Sequence, residues 1–252
     1  MLKDIIVAIQ SYYQAHQFIV QHRLWKWILV PGIIYSLLFC AGIYLFWISS
    51  GNAIDYFLSI TGLKKWMNME ESWLKFLFIF GQVIIQLVLI LFYFSLFKFL
   101  FLIIGSPVFA YLSEKTAAIM EDREFPFSFA QLLKDIGRAI RLALRNACWQ
   151  TVYLVSILIL TFIPVVGWFT PLFALLIECY YLGFSMLDYS CERNKLSASQ
   201  SVALISEHKG LAIGNGMVFY TMHWIPVAGW ILAPSYAVVA ATVSMYKIQG
   251  RG

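Results

Sequence analysis

Three short stretches place a proline where a helix could restart: Ser106-Pro107, Thr170-Pro171 and Ala233-Pro234. Proline suits the first helical position, because its missing N–H is one of the donors left unsatisfied there, and a preceding Ser or Thr can cap the others. Such a helix end presents free N–H groups and about half a positive charge, which at membrane depth can hold an anionic group. The same signals also start helices that bind nothing. Their recurrence in one small chain makes Ser106, Pro107, Thr170, Pro171 and Pro234 candidate anion-binding positions. Arg23 and Lys26, just before the first long apolar stretch, read either as interfacial anchors or as a first stop for an anion arriving from water. Lys134, Arg138, Arg141 and Arg145 recur at helical spacing and form one basic stripe. That stripe suits anionic headgroups or a vestibule that concentrates anions. Glu178 interrupts an apolar stretch; a carboxylate at membrane depth marks function, and here it could stay protonated, cap backbone or couple a proton to transport.

Chemistry of other kinds lacks its motifs. The chain has no Gly-rich phosphate loop, HExxH, CxxC or nucleophile elbow, and His16, His22, His208 and His223 are scattered. The expectation is a non-enzyme with no cofactor and no metal. Cys40, Cys148, Cys179 and Cys191 show neither paired nor ligand-like spacing, so no disulfide framework is expected. The formal net charge of +5 is modest and reads as basic loops beside a membrane, not as a nucleic-acid partner.

The elements that must position these residues are those of a membrane protein: 61% of the chain is hydrophobic and only 12% charged. The spacing predicts an all-α integral membrane fold as a single membrane domain over 1–252. Residues 1–26 form an amphipathic interfacial helix with Leu2, Ile5, Ile6, Ile9 and Tyr13 on one face, not a cleaved leader. Residues 27–49 carry no charge and at 1.5 Å per residue reach roughly 34 Å, enough to cross a bilayer. A second span is expected over 73–104, with Gln82 and Gln86 bonding between helices and Lys98 at its interfacial end. Gly105-Ser106-Pro107 is expected to break it, and 105–148 reads as an amphipathic cytoplasmic segment.

Two C-terminal stretches nearly repeat each other: FIPVVGW at 162–168 and WIPVAGW at 224–230. Each proline-glycine turn is flanked by apolar arms, in hairpins over 149–187 and 211–246. The arms before the turns span only roughly 21 Å, too short for a bilayer core of about 30 Å. The expectation is two partly penetrating hairpins that reverse at Ile163, Pro164 and Gly167, and at Ile225, Pro226 and Gly229. Irregular backbone at that depth must be covered by protein or line an aqueous cavity, which favours a homo-oligomer. Gly210 and Gly214 make a GxxxG, a sign of close helix packing. Placing the termini and the segments 105–148 and 188–210 on one side, together with Lys98, collects 15 of the 18 Lys and Arg there, leaving Lys64, Lys65 and Lys75 opposite. By the positive-inside rule the rich side, with both termini, is cytoplasmic.

The chain resembles the CysZ sulfate permease family and its eukaryotic relatives, the etoposide-induced membrane proteins. The resemblance runs through RLWKWILVPGI (23–33), IGSPVFAYLSEK (104–115), FIPVVGWFTPLF (162–173), LDYSCER (187–193) and HKGLAIGNGMVFYTMHWIPVAGWILAPSYAVVAAT (208–242). It implies two long spans plus two partly penetrating hairpins. It also implies sulfate uptake for assimilation across a bacterial inner membrane, with sulfate or a similar oxyanion and membrane lipids as partners. The family's basic pair before the first-span proline falls on Trp25-Lys26, with Arg23 upstream, and its second turn reads IPVAG with Gly229 last. The other class of function open to such a chain is a non-transporting scaffold that shapes the bilayer or docks a partner.

Overall fold

The computed structural model describes residues 1–60, 97–124, 129–161 and 166–250. Among these residues it contains eight helices and no strand: α1 (Leu2–Gln21), α2 (Trp25–Ile60), α3 (Phe97–Met120), α4 (Phe129–Thr161), α5 (Val166–Arg193), α6 (Ala198–Glu207), α7 (Lys209–His223) and α8 (Ala228–Ile248). Four stretches are long and apolar enough to cross a bilayer: Trp25–Ser49, Phe97–Met120, Phe169–Arg193 and Ala228–Ile248. The protein is an all-α integral membrane protein.

The chain forms two compact units, Met1–Ser36 with Phe99–Gly252, and Leu37–Lys98. Of the second, the structure describes the latter part of α2 and the first residues of α3, where the rings of Phe39 and Phe97 lie 5.8 Å apart. The first unit is built on α8, which is buried without interruption from Ala233 to Tyr246 and packs against α1, α5 and α7. Its run of Ala, Ser and Val lets neighbouring backbones come close, the usual basis of helix packing where hydrophobic exclusion is weak. Its polar groups are paired: Thr242 meets Ser113 of α3 at 3.0 Å, and Asn215 of α7 donates to the Ala237 carbonyl at 3.0 Å. The Tyr12 hydroxyl of α1 donates to the Asn215 carbonyl at 2.9 Å and closes a three-helix knot.

Glycines set the crossings. A Cβ on Gly183 would lie 1.9 Å from the Ala212 carbonyl oxygen, and one on Gly216 would lie 2.0 Å from that of Cys179. These two contacts, four residues apart on each helix, fix α5 and α7 antiparallel in one register. Gly210 and Gly214 face Met1, Asp4, Ile5 and Ala8 of α1, so the GxxxG does pack a helix. On α1 the docked side is Ala8, Ser11, Tyr12, Ala15 and Ile19. The face expected to be interfacial, Leu2, Ile6, Ile9 and Tyr13, is exposed.

The helix boundaries correct the expected breaks. None of the three prolines begins a helix: Pro107 lies within α3, Pro171 within α5 and Pro234 within α8. At Pro107 the reason is visible. A proline removes the bond to the carbonyl four residues back, and that carbonyl, Ile103, accepts the Ser106 hydroxyl at 2.9 Å instead. Ser106 therefore serves a carbonyl within a running helix and caps no N–H groups. The first part of the amphipathic segment continues α3 to Met120, and from Phe129 on it forms one helix, α4, with the first hairpin arm; no proline falls in α4 to stop it at the expected boundary near 148. In the second hairpin, α7 is short at 15 residues while α8 has 21.

Candidate functional site

The junction of α1 and α2 carries Arg23 and Lys26. Helix α1 closes with a Schellman motif: Leu24 N–H donates to the Ile19 carbonyl at 3.1 Å and Arg23 N–H to that of Val20 at 3.3 Å. Leu24 and Ile19 are both buried, as the two apolar positions of this motif usually are. Arg23 occupies its left-handed position, with φ 53°, where glycine is normally found. A side chain with a Cβ costs about 1–2 kcal/mol there, so the arginine is kept against a backbone preference. Trp27 N–H then donates to the Leu24 carbonyl at 3.0 Å as α2 begins. Both Arg23 and Lys26 are exposed and form no ion pair among the described residues. Their charge is open to a dissolved anion.

Two other charged centres are occupied internally. Arg138 of α4 donates both terminal nitrogens to Asp188 of α5 at 2.9 Å, reaches Ser201 of α6 at 2.6 Å, and lies 3.8 Å from Glu192. The basic stripe is thus not one free face: Arg138 is a clamp between three helices, while Arg141 and Arg145 remain exposed. Glu178 of α5 accepts from Gln150 of α4 and, at 2.9 Å, from the Tyr220 hydroxyl of α7. Both carboxylate oxygens take a donor, an arrangement that joins the two hairpins.

The remaining candidates lie apart. Ser106 and Pro107 are on α3, Thr170 and Pro171 on α5, and Pro234 on α8; Ser106, Thr170 and Pro234 are buried. Ile225 and Pro226 form the turn between α7 and α8, and Gly229 follows in the first turn of α8, where a Cβ would lie 1.9 Å from the Met222 carbonyl oxygen. Of the first turn, Ile163 and Pro164 lie outside the described residues, and Gly167 is the second residue of α5.

Residues 12–234 match the family described as "Sulfate transporter CysZ/Etoposide-induced protein 2.4". The chain belongs to this family. Its relatives include proteins named sulfate transporter CysZ in four Pseudomonas species. That of Pseudomonas syringae pv. tomato is 27% identical over 226 residues, 88% of this chain and 85% of the relative. That of Pseudomonas aeruginosa (LESB58) is 29% identical over 183 residues, 71% of this chain and 73% of the relative. A third, from Pseudomonas fluorescens (Pf0-1), is 26% identical over 182 residues, 71% and 72% of the two chains.

In this CysZ/etoposide-induced family member, the sequence pointed to charged residues by type but missed their partners. Gln150 and Tyr220 around Glu178, and Asp188, Glu192 and Ser201 around Arg138, come from helices distant in the chain. The block LDYSCER, at 187–193, held the signal for the clamp: two acids four residues apart on one face of α5 require a cation.

Proposed function

We propose that this chain is a permease for sulfate, working as a homo-oligomer in a bacterial inner membrane with its termini cytoplasmic. The observation that carries the reading is Arg23: a charged, exposed side chain with no ion pair among the described residues, on a left-handed residue beside Lys26, at the mouth of the first span, in a chain whose relatives are named for sulfate transport. Both cations draw a dianion to that mouth. The distribution of Lys and Arg supports the orientation. The wide apolar surface of the single chain supports the oligomer, with Trp224 86% exposed at the tip of the second hairpin. Glu178 tunes or couples the flux, as a carboxylate with two donors inside an apolar layer.

The test is uptake of labelled sulfate by liposomes that contain the purified protein. Uptake above empty vesicles is expected, cut at least about tenfold in Arg23→Ala/Lys26→Ala, a loss of about 1.4 kcal/mol or more. Glu178→Gln in the same vesicles is expected to remove any response of uptake to a pH gradient. A folded, inserted protein that moves no sulfate sinks the proposal and leaves the scaffold reading.

A further inference from the structure

Lys115, near the end of α3, is held by two aromatic rings. Its Nζ lies 5.0 Å from the centre of the Trp27 ring and 5.8 Å from that of Tyr111, and the two rings are 4.3 Å apart. A π face attracts a cation without cancelling its charge. Lys115 therefore loses water and freedom on the ring side while its remaining N–H donors keep a full positive charge.

Cations nearby in the chain or the fold are disposed otherwise. Arg123 is tied to Glu114 and Glu121, and Arg138 to Asp188 and Glu192. Lys115 forms no ion pair among the described residues. With His22 and Tyr111 it lines an open groove that Asp122, Arg123 and Glu124 also border. His22, which lines the groove, and Trp27, whose ring Lys115 faces, are the chain neighbours of Arg23 and Lys26, so Lys115 lies beside the junction that carries those two cations, neither of which forms an ion pair among the described residues. Arg23 and Lys26 extend from one junction, whereas Lys115 comes from a different helix. A tetrahedral dianion offers oxygens in several directions, and donors on two elements grip it where one turn alone could not.

We propose that Lys115 is a third oxyanion-binding residue at the α1–α2 junction, completing with Arg23 and Lys26 a three-cation site for a tetrahedral dianion. The inference rests on the permease reading of that junction and adds a ligand to it. Sulfate from solution and the phosphate of a lipid headgroup share this chemistry, and the experiment separates them.

Sulfate binding is titrated calorimetrically into the purified chain in neutral phosphatidylcholine nanodiscs, with uptake measured in parallel. Lys115→Met keeps the chain length and the ring contact but removes the charge; it is expected to weaken sulfate binding about tenfold, or about 1.4 kcal/mol. Lys115→Arg keeps affinity within about threefold, because a guanidinium also stacks on aromatic rings. Trp27→Leu frees the lysine without removing its charge and weakens binding less than Lys115→Met. Unchanged sulfate binding in Lys115→Met, with reduced retention of phosphatidylglycerol by native mass spectrometry, assigns the site to a lipid phosphate. Unchanged sulfate binding and unchanged lipid retention overturn the proposal. Wild-type protein that takes up no sulfate defeats the permease reading itself; wild-type and Lys115→Met proteins with equal uptake and equal affinity for sulfate and lipid defeat only this inference.

Discussion

Arg23 shows how a residue's backbone can separate an anchor from a ligand. At φ 53° the position suits glycine, and a glycine there is expected to stabilise the fold by about 1 kcal/mol through relief of the left-handed strain. If the side chain only anchored the helix at the interface, losing it would matter little, since Lys26 and the exposed Trp25 and Trp27 remain. If it meets the anion, Arg23→Gly produces a protein at least as heat-stable as wild type, with sulfate uptake reduced about tenfold. Arg23→Lys keeps most of the uptake. Thermal unfolding in detergent, set beside vesicle uptake, checks both halves; an Arg23→Gly protein that transports normally would return Arg23 to the role of anchor. The residue types at 23, 26 and 178 were legible in the sequence because charge beside or inside apolar runs is conspicuous. The strain at Arg23 and the ring contacts of Lys115 were not, because both depend on how α1 meets α2 and on α3, which lies about ninety residues further along.

At the scale of the element, proline misled and glycine did not. Ser-Pro and Thr-Pro are good start signals in water, where a carbonyl orphaned by proline is one more reason to end a helix. Inside an apolar layer no solvent replaces the lost bond, so the helix continues and a local hydroxyl serves the carbonyl, as Ser106 serves Ile103. The GxxxG of α7 is legible because close approach in membranes favours small residues, yet Gly183 and Gly216 stood in no such pattern. Their role comes from the register of α5 against α7. Gly183→Ala puts a methyl 1.9 Å from a backbone carbonyl that cannot swing aside, and overpacking of this kind costs about 1–3 kcal/mol. Gly137, also in a helix, has nothing within 4 Å of the same added atom; Gly137→Ala should gain up to about 1 kcal/mol of helix propensity. A matched pair of melting curves is expected to show the first variant several degrees lower and the second level or higher. Equal melting temperatures would mean that the α5–α7 crossing has slack.

At the scale of the whole molecule, the membrane class and the helical architecture were readable from composition and apolar run lengths, and the reversal at 224–230 from its proline and glycine. Element lengths were less readable, because α4 and α5 run through charged sequence that looked like boundary and is instead neutralised internally by Arg138, Asp188 and Glu192. The depth of the second hairpin is an expectation from the length of its first arm. The 15 residues of α7 reach roughly 22 Å, short of a hydrocarbon core of about 30 Å, so a helix entering at Lys209 is expected to turn back before the far face. The turn is apolar and uncovered within the single chain: Ile225 and Val227 are both exposed beside Trp224. Such a tip belongs in lipid or against another protomer. With the exposed Cys40 and Cys148 replaced by Ser, Ile225→Cys is expected to react with a membrane-permeant maleimide. It should resist an impermeant one applied to sealed vesicles from the face opposite the N-terminus. Rapid labelling from that face would mean that α7 and α8 cross completely, and the second hairpin would then be a pair of full spans whose turn meets water.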